Sequence, residues 1–94
     1  MKGMARQKVH GGKLLCVKIE YEKSIDKIQI LGDFFVYPEE SLWAIEDGLI
    51  GVSINTGADE IARIVEDIAK AQNAEMIGIT PAAIAQTILM AVTR

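Results

Sequence analysis

The sequence is short of nearly every residue that chemistry depends on. It has one cysteine, one histidine, two prolines and five aromatic residues in 94 positions. A single cysteine, Cys16, rules out an intramolecular disulfide and fits a reducing, cytoplasmic compartment. A single histidine, His10, with no second His or Cys beside it, gives no ligand set for a structural metal. It also supplies no Ser-His-Asp set and no credible partner for Cys16, which falls on a strand pattern rather than at a helix N-terminus. No apolar run is long enough to span a bilayer, and Met1–Lys8 has no hydrophobic secretory segment. Five aromatics and a net charge of −3 argue against nucleic acid as a partner, since there is little to stack on bases.

What is present is a globular composition, with 50% apolar and 24% charged residues. A chain of this length buries roughly 60–65% of its unfolded surface, enough for one small domain, expected over residues 1–94 with 1–5 loose. It leaves little room for a complete two-substrate enzyme. Charge is unevenly distributed. Residues 1–37 hold seven Lys/Arg and four Asp/Glu, whereas residues 38–94 hold three and nine. The basic N-terminal part is either an ordinary solvated face or the side that meets an anionic partner.

The hydrophobic period changes along the chain. Residues 14–22 alternate, with Leu15, Val17, Ile19 and Tyr21 on one face and Lys18, Glu20 and Glu22 on the other. Residues 26–35 repeat the alternation through Ile28, Ile30 and Phe34, so the two runs read as a hairpin. Ala5–Val9 is a third candidate strand, turned into the next by Gly11 and Gly12. From Pro38 the period becomes helical. Pro38 is expected as the first helical residue, followed by Leu42, Ile45 and Leu49, with Gly51 as the stop. A second helix follows Thr56–Asp59, a weak capping box, and carries Ile61, Ile64, Val65 and Ile68 to a stop at Asn73. A third opens at Thr80-Pro81 and buries Ile84, Ile88 and Leu89. Strands first and helices second predict an α+β fold, a small antiparallel sheet of two or three strands with three helices on one face.

Three constellations stand out. Gly11-Gly12-Lys13 offers exposed backbone N–H groups and a point charge that suit a phosphate, though it is no Walker loop, because a strand and not a helix follows. Gly32-Asp33-Phe34-Phe35 ends a strand with a glycine that marks a bulge or a close backbone approach. Its two phenylalanines must split between faces, so one is available to a partner. Trp43 lies off the centre of its helix's apolar stripe and either completes the core or anchors an interface. The pairs Glu39/Glu40, Glu46/Asp47 and Asp59/Glu60 are sequence neighbours. They diverge on a helix and read as solvated faces rather than an acid/base dyad.

Taken in order, Lys8-Val9-His10-Gly11-Gly12-Lys13-Leu14, then Ile30-Leu31-Gly32-Asp33-Phe34-Phe35, then Pro38-Glu39-Glu40 and Ile45–Gly51 resemble the small C-terminal, accessory domain of lipoate–protein ligase A, which in some members is a separate polypeptide. The resemblance spans about Arg6 to the last helix. It implies an accessory subunit that works with a large catalytic subunit in activating lipoate with ATP and Mg²⁺ to lipoyl-AMP, and hence in lipoylating a lysine of lipoyl domains. The large domain's Arg-Arg-x-x-Gly-Gly-Gly-like segment is absent here, so the chain alone is expected to be inactive, with no catalytic residue and no cofactor of its own. On this resemblance Gly11, Gly12 and Lys13 would face the adenylate, and Gly32, Asp33, Phe34, Phe35 and Trp43 would meet the partner subunit. The strand-then-helix order is also similar to SufE/NifU-like scaffolds. One cysteine cannot ligate an iron–sulfur cluster as they do, so that kinship implies at most a noncatalytic interaction module in another complex.

Overall fold

A computed structural model describes residues 1–9, 11 and 13–92. His10 and Gly12 lie outside the described residues, so the Gly11-Gly12-Lys13 reading is met there only through Gly11 and Lys13. The architecture is α+β, as expected. Strands β1 (Lys2–Lys8), β2 (Leu14–Tyr21) and β3 (Ile25–Gly32) form an antiparallel sheet in the order β1-β2-β3. Three helices follow: α1 (Glu40–Leu49), α2 (Ala58–Ala71) and α3 (Pro81–Ala91). Two short strands, β4 (Phe35–Tyr37) and β5 (Glu75–Ile77), make a separate antiparallel ribbon.

Alternation along β2 sets the layering. Leu15, Val17, Ile19 and Tyr21 are almost completely buried, facing the helices, and Lys18 is exposed on the other side. Helix α3 lies across β1 and β2, α1 lies on β3, and α2 packs against α1 and α3. Because α3 has the sheet on one side and α2 on another, its buried residues go well beyond one stripe: Ala83, Ile84, Ala85, Thr87, Ile88 and Ala91. Each large aliphatic in this core contributes about 1.5–3 kcal/mol through its removal from water. Among the described residues two polar side chains are buried: Ser41, whose Oγ has no hydrogen-bond partner, and Thr87, which is satisfied. Thr87 Oγ1 donates to the Ala83 carbonyl (2.7 Å) and accepts from Gln7 Nε2 (2.6 Å), tying β1 to α3.

Four sequence expectations change in detail. β1 begins at Lys2 rather than Ala5, and the chain start is held because the Met1 amine donates to the Tyr21 carbonyl (2.7 Å) and to Glu22 (2.9 Å). The run expected as one strand over 26–35 breaks after Gly32. The Asp33 N–H donates to the Leu14 carbonyl (2.9 Å), and residues 35–37 leave the sheet to pair with β5. That pairing extends the chain to Tyr37, so Pro38 is not the first helical residue. Pro38 and Glu39 form the entry turn, accepting from the N–H groups of Ser41 and Leu42 (3.0 and 3.1 Å), and α1 starts at Glu40. The cap of α2 is Gly57 in extended backbone with no side-chain bond, not a box built on Thr56. By contrast, Thr80 caps α3 as expected, its Oγ1 accepting from the Ala83 N–H (3.1 Å), with Pro81 next. Asn73 ends α2 in left-handed backbone, φ +52°.

Candidate functional site

The two glycine turns singled out in the sequence are brought together at one end of the sheet. The first is closed by the Val9 N–H donating to the Lys13 carbonyl (2.8 Å), with Gly11 at φ +89° and Lys13 exposed. The second, Gly32-Asp33-Phe34, lies against it. A methyl group on Gly32 would overlap the Leu14 carbonyl oxygen, and the backbone there has φ +151°. This is the close approach that a glycine in a strand signals.

Gly78 completes the junction. It has φ +81°, and a Cβ there would sit 3.3 Å from Lys13 Cγ and 3.4 Å from the Asp33 carbonyl oxygen. Gly78 itself gave no sequence signal, although Thr80, two residues on, marked the start of α3. A groove of about 490 Å³ runs from Gly78 along the N-terminal turn of α3, bordered by Gln7, Lys8, Thr80, Ala83 and Gln86. That turn carries no acidic residue, and Lys8 and Lys13 are nearby cations. The electrostatics therefore favour a negatively charged group at this end over a positive one.

The two phenylalanines of the Gly-Asp-Phe-Phe element part as expected. Phe34 packs against the core and is half-buried, whereas Phe35 is 72% exposed. In the β4–β5 register Phe35 pairs with Ile77 and Tyr37 with Glu75, so Tyr37 (73% exposed) shares Phe35's face and Ile77 (51%) stands opposite it. Val36 and Met76, on the other side of the ribbon, turn to the core. Trp43 is 61% exposed on α1, which packs on β4. It does not complete the core. Tyr37 and Ile77 were missed by the sequence reading. Tyr37's spacing of two from Phe35 was an available signal, but Ile77 had none.

Glu46 departs from its expected place on a solvated face. It is half-buried, and its Oε2 accepts from the Ile30 N–H (2.8 Å), covering part of the open edge of β3. Burial raises its pKa above the usual 4.5, the Ile30 N–H opposes that rise, and neighbouring Asp47 adds to it. Cys16 is buried, and among the described residues no group of three His, Cys, Asp or Glu is placed to hold a metal ion. No helix among them is long and apolar enough to cross a membrane.

No protein-family model and no curated protein matches the chain. A solved structure does. A chain from the archaeal lipoylation system of Thermoplasma acidophilum, described as a bi-partite lipoate protein ligase and its E2 lipoyl domain, superposes with a TM-score of 0.75 at 30% identity, over 94% of each chain. The chain belongs to the same family as that lipoylation component. The shared region takes in nearly the whole sheet-and-helix body, and the two chains are close in length, since the alignment covers the same share of each.

Proposed function

We propose that this chain is the accessory subunit of a two-chain lipoate–protein ligase, required with the large catalytic subunit for ATP-dependent activation of lipoate to lipoyl-AMP and so for lipoylation of a lysine on lipoyl domains. The observation that carries the reading is the 30% identity, over 94% of each chain, to a component of a bi-partite ligase system. The reading makes the chain part of an enzyme while assigning the chemistry, and the binding of ATP, Mg²⁺ and lipoate, to the complex.

Adenylation places phosphate charge and a mixed anhydride where water must be excluded. In the proposed arrangement the glycine-turn end closes over the mouth of the large subunit's pocket, a gating contribution rather than a chemical one. Gly11, Gly12 and Lys13 face the adenylate, with the Lys13 ammonium near its phosphate. Gly32, Asp33 and Phe34 hold that turn in place, and Phe35 and Trp43, joined by Tyr37 and Ile77, dock on the large subunit. Exposed aromatics are the residue types that dominate stable interfaces.

Reconstitution tests the reading. The chain is mixed with a candidate large subunit, ATP, Mg²⁺ and lipoate, and adenylate formation is assayed separately from transfer of supplied lipoyl-AMP. Adenylate formation that depends on the added chain is the expected result. No change in either assay would exclude the accessory role and leave an interaction module of another complex. Gain of the lipoyl mass by this chain itself would make it an acceptor instead. In a competent pair, Lys13→Ala should slow adenylate formation roughly 10-fold or more, the worth of one hydrogen bond to a charged group. An unchanged rate would remove Lys13 from the site.

A further inference from the structure

The face of the three-stranded sheet turned away from the helices is uncovered, and its side chains follow from the register. Going along the sheet, the rows read Lys2–Glu20–Lys27, Met4–Lys18–Gln29, Arg6–Cys16–Leu31 and Lys8–Leu14. Five cations stand on this face against one carboxylate, and all five are exposed. Lys18 has Lys2, Arg6 and Lys27 as its diagonal neighbours, at roughly 7–8 Å between Cα atoms. Among the described residues the ion pairs join the Met1 amine to Glu22 and Lys70 to Glu66, and neither involves a cation of this face. Like charges set so close oppose folding. Glu20, directly opposite Lys2 and Lys27, and Glu46 at the same end offset them only in part, and no carboxylate stands in the rows of Lys18, Arg6 and Lys8. Between the cations lies an apolar stripe, with Met4 53%, Leu14 38% and Leu31 39% exposed over the buried Cys16. A shallow depression of about 690 Å³ lies at the Lys2–Lys18–Lys27 end.

An apolar centre with a charged rim is the anatomy of a protein-binding surface. This one has no aromatic anchor, so it suits an encounter steered by charge rather than a permanent joint. The exposed aromatics lie elsewhere, at Phe35, Tyr37 and Trp43. A second copy of the chain would have to offer the acidic surface of α1 and α2 to this sheet. Such a head-to-tail contact has no two-fold closure and gives a ring or an open chain rather than a dimer. We infer that the uncovered sheet face is a docking surface for an acidic patch on the protein that accepts the lipoyl group, bringing it transiently to the complex. This rests on the accessory-subunit reading, because it assigns a third participant to the same assembly.

The test uses the reconstituted pair and an acceptor lipoyl domain, with Lys18→Glu/Lys27→Glu as the variant. Adenylate formation reports on the accessory role, and the KM for acceptor in transfer from supplied lipoyl-AMP reports on this surface. The expected result is unchanged adenylate formation with at least a roughly tenfold rise in acceptor KM at low salt, about 1.4 kcal/mol in binding. The unaltered pair should show a KM that climbs with ionic strength, and this climb should be weaker in the variant. The salt series on the unaltered pair stands even if the double variant does not fold, and a salt-independent KM would overturn the inference. So would loss of adenylate formation in a folded variant, which would make the face part of the joint with the large subunit. An unchanged KM would overturn it as well, as would self-association of the unaltered chain that the charge reversal abolishes.

Discussion

The basic sheet face and the β4–β5 ribbon both turn apolar side chains to solvent, but they are supported differently. The sheet rests on a continuous inner layer, Leu15, Val17, Ile19, Tyr21 and Ile30, clamped by α1 and α3. Its outer face is a rigid platform whose content is mostly charge. The ribbon has two strands of three residues each, tied to the core through Val36 and Met76. A two-stranded element this short is not stable by itself. What it exposes is aromatic and aliphatic surface, Phe35, Tyr37 and Ile77. Charge on a platform favours fast, salt-sensitive encounters, whereas aromatics on a small ribbon favour a longer-lived joint whose partner completes their burial. One small molecule thus carries two surfaces suited to two kinds of contact.

Substitutions can separate the two. The largest effect is expected beneath the sheet. Ile84 is fully buried on α3, and Ile84→Ala should cost about 2–5 kcal/mol of folding stability, read as a lower urea midpoint. Because the platform and the ribbon share that core, both contacts should weaken together. Phe35→Ala should split them. With 72% of Phe35 already in water, folding stability should move by no more than about 0.5 kcal/mol. Affinity for the large subunit should fall by about 2 kcal/mol, some 30-fold, in a titration of the pair. A destabilised fold with unchanged affinity would contradict the contrast between the two regions.

The smallest effect concerns Glu46, at the open edge of β3. Its folded-state pKa lies above the usual 4.5, so the folded protein holds that proton more tightly than the unfolded chain does. The group's contribution is therefore fully present below pH 4.5 and is lost as pH rises through the raised folded value. Glu46→Gln should flatten this part of the stability–pH profile and leave stability at pH 7 equal or slightly higher, because the amide oxygen can still accept from the Ile30 N–H. A marked loss of stability at pH 7 would show that the charged bond to Ile30 outweighs the burial cost.

Much of the fold was legible because its elements are long enough to show a period. The alternation of 14–21 and the stripes Ile45/Leu49 and Ile61/Val65 each point to the face that is buried. The Thr80-Pro81 start of α3 is a local signal that survives folding unchanged. β5 was not legible. Three residues cannot display a period, and Glu75–Ile77 is a strand only because Phe35–Tyr37 lies beside it. The same event explains the misplaced start of α1 and the broken run after Gly32. At the candidate site, Gly11, Lys13, Gly32 and Asp33 carried recognisable turn chemistry, but Gly78, which fits between them, did not. Glu46 looked like surface because its neighbour Asp47 is surface. Its partner is a backbone N–H sixteen residues back.

By itself the sequence determined the class of fold, the inward faces of the long elements, the scarcity of cysteine and histidine, and the concentration of positive charge in the first 37 residues. These follow from composition and short-range spacing, which act within a turn or a strand. Only the tertiary structure decided that two distant tripeptides pair, that Lys13, Asp33 and Gly78 meet, and that five cations share one uncovered face while Phe35 and Tyr37 share one side of the ribbon. Such juxtapositions depend on strand register and on which backbone edges remain unpaired, and those are fixed only when the whole core closes.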